Sequence, residues 1–261
     1  EPQAGKSGDI KIAEPIDVGT GNVFYEISDY TTSGINPLEF TRAYNSLASI
    51  TTKAVTLGKN WRSNYDRYLN INSPTSVTIE RADGQELHFN YNGTSWISDS
   101  DVDLHLTQTG TTWTLKEKDT LTETYTQSSG AAQLTSITYR NGYTQTLNYN
   151  NNNQLISVND SFSRTLTFAY ANELLNAVTT PNGLVITYGY DASGVSPGIN
   201  DRLASVSYST TPVTSQSYDY VQNFALSKIT DENGDSYSSW TYDSSRRGLT
   251  SKMGNDANIT T

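Results

Sequence analysis

His88 and His105 are the only imidazoles in a chain of 261 residues that has no cysteine. Zinc would need both of them together with carboxylates, and a chain without cysteine has no disulfide framework and no thiol chemistry. His88 is out of phase with Leu87, Phe89 and Tyr91, and His105 sits between Leu104 and Leu106, so both belong on the polar side of strands. A serine nucleophile is not marked by any Gly-x-Ser-x-Gly elbow. Two acidic stretches, Asp231/Asn233/Asp235 and Asp99/Asp101/Asp103, have the spacing of a calcium loop. An EF-hand also needs Gly at its sixth position and Glu at its twelfth, where these offer Ser236 and Tyr242, and Leu104 and Gly110. Glu117, Asp119 and Glu123 lie near Trp113, with Trp96 upstream, but a glycosidase pair must face across ~5–9 Å, and acids alternating along a strand read first as surface residues. Gly19-Thr20-Gly21 lacks the further Gly and the helix of a phosphate loop, and Gly5-Lys6-Ser7 lacks the upstream Gly of a Walker motif. These residues are chemically capable without forming a catalytic pattern, so neither a cofactor nor a metal is expected.

The elements that carry them are strands. Val77 and Ile79, Leu87 to Tyr91, Tyr143 to Tyr149, Leu166 to Tyr170 and Leu184 to Tyr190 all alternate apolar with polar residues, the pattern of half-buried strands. Asp83-Gly84, Asn92-Gly93, Asn141-Gly142, Asn182-Gly183 and Asn233-Gly234 bound them, and such pairs suit type I′ hairpin turns. The nearest thing to a helical period, Ala171 to Val178, is short. Charged residues make up only 17% of the chain and aromatics 11%, too many aromatics for disorder. A net charge of −10 excludes the basic footprint of a nucleic-acid binder. No apolar run approaches the ~20 residues of a membrane helix, and Glu1-Pro2-Gln3-Ala4-Gly5 does not read as a signal peptide.

The strands repeat. Tyr125, Tyr149, Tyr170, Tyr190, Tyr220 and Tyr242 each close an aromatic strand, at steps of about 20 to 30 residues. A polar turn and a short Leu-x-x-Val/Ile strand follow most of them: Leu134 to Ile137, Leu155 to Val158, Leu203 to Val206, Leu226 to Ile229. One such hairpin cannot bury its apolar face alone, so neighbours must join edge to edge. The fold expected is all-β, a long sheet of antiparallel hairpins. In each unit Tyr can bury its ring while its hydroxyl reaches the rim, and Asp191 or Asp243 can accept turn amides or pair with Arg202 or Arg247.

Tyr190-Asp191 with Arg202-Leu203, and Tyr242-Asp243 with Arg246-Arg247-Gly248-Leu249, resemble the YD repeat of the RHS family. Three upstream segments resemble the start of the RHS core in the family's order. These are Pro15 to Asn22, Leu38 to Ser46, and Leu57 to Leu69 with its Trp61, Asn64, Tyr65, Asp66 and Arg67. Asn60 departs from the pattern, standing where Gly is common, and Tyr149 and Tyr170 are followed by Asn150 and Ala171 rather than Asp. The family's C-terminal core signature and a variable toxin domain have no counterpart here, so the chain resembles the first part of an RHS protein or a short relative. The resemblance implies a plug-like segment over residues 1–75 and a hairpin sheet over 76–261. It also implies a hollow shell that encloses a C-terminal polypeptide, commonly a toxin, in a secreted or cell-surface protein. On that reading the stretch is not an enzyme and its partner is the rest of its own chain. The alternative is a surface module holding glycans on exposed Tyr and Trp, and a hydrolase comes third. If the chain is a truncation, an unpaired strand near Thr241 to Lys252 would drive self-association.

Overall fold

The computed structural model describes residues 11–13, 16–17, 19–48, 56–99, 102–118, 120–171, 173–191, 201–222, 224–254 and 259–260. Pro15, Val18, Asp101, Asp119 and the Gly5-Lys6-Ser7 segment lie outside them. The described residues contain strands and no helix. In order the strands are β1 Lys11–Ala13, β2 Ile16–Asp17, β3 Phe24–Thr31, β4 Glu39–Asn45, β5 Trp61–Ser63, β6 Tyr68–Ser73, β7 Ser76–Glu80, β8 Glu86–Tyr91, β9 Trp96–Ile97, β10 Leu104–Thr109, β11 Thr112–Glu117 and β12 Leu121–Ser128. They continue with β13 Ala131–Tyr139, β14 Thr144–Tyr149, β15 Leu155–Asp160, β16 Thr165–Ala171, β17 Leu174–Thr179, β18 Val185–Asp191, β19 Arg202–Tyr208, β20 Thr214–Val221, β21 Ala225–Asp231, β22 Ser236–Tyr242, β23 Gly248–Met253 and β24 Ile259–Thr260. β6 to β24 form one sheet of 19 strands, and β3, β4 and β5 form a separate three-stranded sheet.

The Gly turns differ in type from the sequence expectation. At Asp83-Gly84, Asn141-Gly142, Asn182-Gly183 and Asn233-Gly234 only the glycine has positive φ, so these are not type I′ turns. Each is a longer loop, as at Asp231: its N–H donates to the Asp235 carbonyl while the Gly234 N–H donates back to the Asp231 carbonyl. This is a type I turn followed by one left-handed residue. Asn153, Ser163 and Arg246 occupy that left-handed position where no glycine is present. The preceding Asn150, Asp160 and Asp243 support it by accepting amides of the loop on Oδ1.

A second irregularity recurs with the repeat. The pairing register shifts just before each of Tyr125, Tyr149, Tyr170, Tyr190, Tyr220 and Tyr242. Tyr149 faces Leu155 while Asn148 faces Ser157, which leaves Ile156 as the extra residue of a β-bulge. The bulge accounts for the Leu-x-x-Val/Ile spacing. In a regular strand residues three apart face opposite sides, but with one residue bulged both turn inward. Leu155 and Val158, Leu203 and Val206, and Leu226 and Ile229 are all buried, each contributing ~1.5–3 kcal/mol of transfer free energy.

β13 is a fork. One edge pairs along its whole length with β12, while the other is divided between β14 at Ser136 to Thr138 and β6 at Ala131 to Gln133. The end of the array is not the open edge expected from sequence. β22 pairs with β23, and β23 pairs in turn with β24 through Thr250 and Ser251. The Gly248 N–H also donates to the Gly21 carbonyl. The strands at Thr241 to Lys252 therefore have neighbours.

Candidate functional site

The residues that converge most do so along the seam where β3, β4, β5 and the turn after β5 lie on one face of the repeat sheet. That face is presented by the residues two before each repeat tyrosine: Glu123, Leu147, Phe168, Tyr188, Tyr218 and Trp240. Alternation puts them on the same side as the tyrosines, and all are buried. Five meet a partner from the N-terminal strands or the turn after them. Arg67 pairs with Glu123; Phe40 and Tyr65 pack on Phe168; Asp29 bonds Tyr188; Arg42 bonds Tyr218; and Tyr25 packs edge-on against Trp240.

Arg42 and Asp29 form the centre of this seam, with both side chains wholly buried. Arg42 Nε donates to Asp29 Oδ2 at 2.7 Å, and Nη2 donates to the Tyr218 hydroxyl at 2.6 Å. Asp29 accepts further hydroxyl protons from Tyr188 at 2.8 Å and Tyr208 at 2.6 Å. The guanidinium also lies 5.1 Å from the ring centroids of Trp61 and Tyr218. Burial opposes the arginine's charge, yet Asp29 and the tyrosines hold its pKa well above the ordinary value. A buried pair gains little over apolar packing but costs ~3–5 kcal/mol to break, so it selects one docking geometry.

A second carboxylate anchors the other end. Glu123 is fully buried and accepts from Arg67, from Arg81 at 2.6 Å and from Tyr125 at 2.6 Å. Burial alone would raise its pKa, but Arg67 and Arg81 outweigh it and hold the carboxyl at about 2. This corrects the sequence reading of Glu123 as a surface acid. Of its supposed companions, Glu117 is exposed and Asp119 lies outside the described residues, while Glu123 itself is committed to its two arginines. A third buried pair joins Arg62 to Glu80 at 2.9 Å.

The upstream motif residues all serve this seam. Trp61 Nε1 donates to the Tyr220 hydroxyl at 2.9 Å. Asn64 exchanges backbone and side-chain bonds with Thr41 and Glu39. The Tyr65 hydroxyl reaches the Glu39 carbonyl and Gln145. Asp66 accepts from Ser63 N and Oγ, Thr56 and Tyr68. Asn60 has φ 66°, which explains a Gly preference there, since Asn is the next residue to tolerate that region.

The repeat tyrosines form a ladder. Tyr149 donates to the Leu134 carbonyl, Tyr190 to Leu175, Tyr220 to Leu203 and Tyr242 to Leu226, at 2.6–2.8 Å. Tyr170 meets the backbone of Leu155. Each acceptor is the leucine opposite the previous tyrosine, so one side chain binds each hairpin to the one before. Asp191 takes a two-pronged contact from Arg202 at 2.8–2.9 Å. Asp243 caps its turn and pairs with an exposed Arg247.

Other candidates stay apart. His88 Nδ1 lies 3.0 Å from Thr78 Oγ1 on the exposed side, and His105 is exposed elsewhere. Asp231 Oδ1 accepts the amides of Asn233 and Asp235 and is thus a turn cap. Among the described residues no group of three His, Cys, Asp or Glu could hold a metal. Asp29, Arg42 and Glu80 were missed in sequence as site residues. Only the position of Arg42 within Leu38 to Ser46 marked it.

The fold and seam define an all-β protein in which an N-terminal strand group is buried against an array of hairpins. Residues 13–89 match the family described as domain of unknown function DUF6531. No curated protein matches the chain. Among solved structures, the crystal structure of TcdB2-TccC3-Cdc42 is similar at 13% identity and a TM-score of 0.35, over 88% of this chain. The chain spans only 12% of the length of that one.

Proposed function

We propose that this chain is a non-catalytic wall segment of an RHS-type shell, with its N-terminal strands acting as a plug laid against the wall. The shell encloses a C-terminal polypeptide of the same protein, which is secreted or displayed on a cell surface. The observation that carries this reading is the tyrosine ladder. It binds each hairpin to its predecessor by one rule, so a wall can be lengthened indefinitely. The resemblance of Leu57 to Leu69 and its two companion segments to the RHS core supports it. So does the use of each chemically distinctive side chain of the seam in packing. Five of the six repeat tyrosines spend their hydroxyls on backbone and Tyr125 spends its own on Glu123, which argues against the glycan-platform alternative.

Electron microscopy of the protein extended to its natural stop codon tests the proposal. A closed hollow particle with density inside is expected. An open rod or solid globule would overturn it.

A further inference from the structure

Four Asn-Gly pairs occur in this chain, and the structure separates one of them from the rest. Gly142, Gly183 and Gly234 each donate their N–H across the turn, to the carbonyls of Tyr139 at 2.9 Å, Thr180 at 3.0 Å and Asp231 at 3.1 Å. Among the described residues the Gly93 N–H meets no acceptor. The β8–β9 turn is closed by Asn92 instead. Its N–H donates to the Ser95 carbonyl at 3.1 Å, and its Oδ1 accepts the amides of Thr94 at 2.9 Å and Ser95 at 2.8 Å. Those bonds fold the carboxamide back over the Gly93 peptide, as in an Asx turn. Residues 91–95 are exposed, and a Cβ placed on Gly93 would have nothing within 4 Å, so water and base reach this peptide freely.

We propose that Asn92 is a self-modification site of the folded chain, losing its side-chain amide to attack by its own backbone. Base removes the Gly93 amide proton, and the nitrogen forms a bond to Asn92 Cγ. The Cγ–Nδ2 bond then breaks, the departing nitrogen takes a proton from water, and ammonia leaves a succinimide ring. Water opens that ring at either carbonyl, giving an aspartate or an isoaspartate. The negative charge that develops on Oδ1 during attack falls where the Thr94 and Ser95 amides already point, the arrangement of an oxyanion hole. In the other three turns the attacking nitrogen must first give up its hydrogen bond. Their Oδ1 atoms are also less well served: Asn141 accepts one amide, from Tyr143, and Asn182 accepts the Thr180 hydroxyl. The product places a new carboxylate, or an extra methylene in the main chain, beside Tyr91 and Trp96, whose ring centroids lie 5.3 Å apart.

The full chain is incubated in mildly alkaline buffer, folded and in urea, and mass spectrometry of proteolytic peptides follows all four sites. In the folded chain Asn92 should convert about tenfold faster than each of the others, the rate equivalent of one hydrogen bond. In urea, with the turns lost, the four rates should converge. Asn92→Gln keeps an amide at an exposed position but closes a larger ring far more slowly, so the first acidic species on isoelectric focusing should disappear. Equal rates in the folded chain, another site running ahead of Asn92, or the same lead for Asn92 in urea would overturn the proposal. So would persistence of that acidic species in Asn92→Gln.

Discussion

A phenol hydroxyl at the end of a strand carries more of this fold than any ion pair, because it recurs. Tyr220 and Tyr190 occupy equivalent steps, but the Tyr220 hydroxyl also accepts from Trp61. Tyr220→Phe therefore leaves two buried groups without partners, and Tyr190→Phe only the Leu175 carbonyl. We predict a loss of ~1–3 kcal/mol for each group orphaned, so urea unfolding should place Tyr220→Phe clearly below Tyr190→Phe. Equal midpoints would show that the indole bond contributes nothing. The tyrosines themselves were legible in the sequence, since Tyr recurs at every step. Their neighbours two positions earlier were not. Glu123, Phe168, Tyr188, Tyr218 and Trp240 follow no single residue type, only Tyr188 and Tyr218 agreeing, because each meets a different partner, and single-chain periodicity cannot identify partners so far away in sequence.

At the level of strands and turns, the all-β reading and its hairpins followed from alternation, but the bulges did not. Yet the three-residue step from Leu155 to Val158 already contradicted a regular strand, and read strictly it marks a bulge. The turn type was misjudged for a related reason: Asn-Gly is compatible with two loop lengths, and only the backbone bonds separate them. Glycine roles divide sharply here. Gly58 has φ 81°, and a Cβ on it would stand 2.4 Å from the Asp201 carbonyl oxygen. Gly183 has φ 84° with nothing within 4 Å. Gly183→Ala should cost ~1 kcal/mol of backbone strain, whereas Gly58→Ala adds a backbone clash that must displace residues 56–60 from the sheet. Hydrogen exchange should then show loss of protection in β4 and β5 for Gly58→Ala alone. Matching protection in the two variants would contradict the docking described.

For the molecule as a whole, pH reads out the buried groups. Glu123 is held at about 2 in the folded chain, below the ~4.3 of a free glutamate. Its contribution is therefore complete above ~4.3 and is lost as pH falls towards 2. The tyrosines act at the other limit. Burial lifts Tyr44 and Tyr218 to about 12, against hydrogen bonds and nearby arginines that lower them, with Asp29 adding to the lift at Tyr218. The unfolded chain ionises from ~10, so stability declines above that pH as the folded phenols stay protonated. Urea midpoints between pH 2 and 11 should give a plateau from about 5 to 9 with a fall on each side. Glu123→Gln should lower the plateau and flatten the acid limb, and an unchanged acid slope would remove Glu123 from the account. The row of unlike residues beneath the N-terminal strands also bears on how such a chain evolves. A duplication that inserts a hairpin between Leu121 and Tyr242 preserves the ladder but shifts every later contact out of place. A duplication beyond the reach of the N-terminal strands disturbs nothing. Lineages should therefore vary in repeat number downstream of the seam while keeping the count beneath it constant.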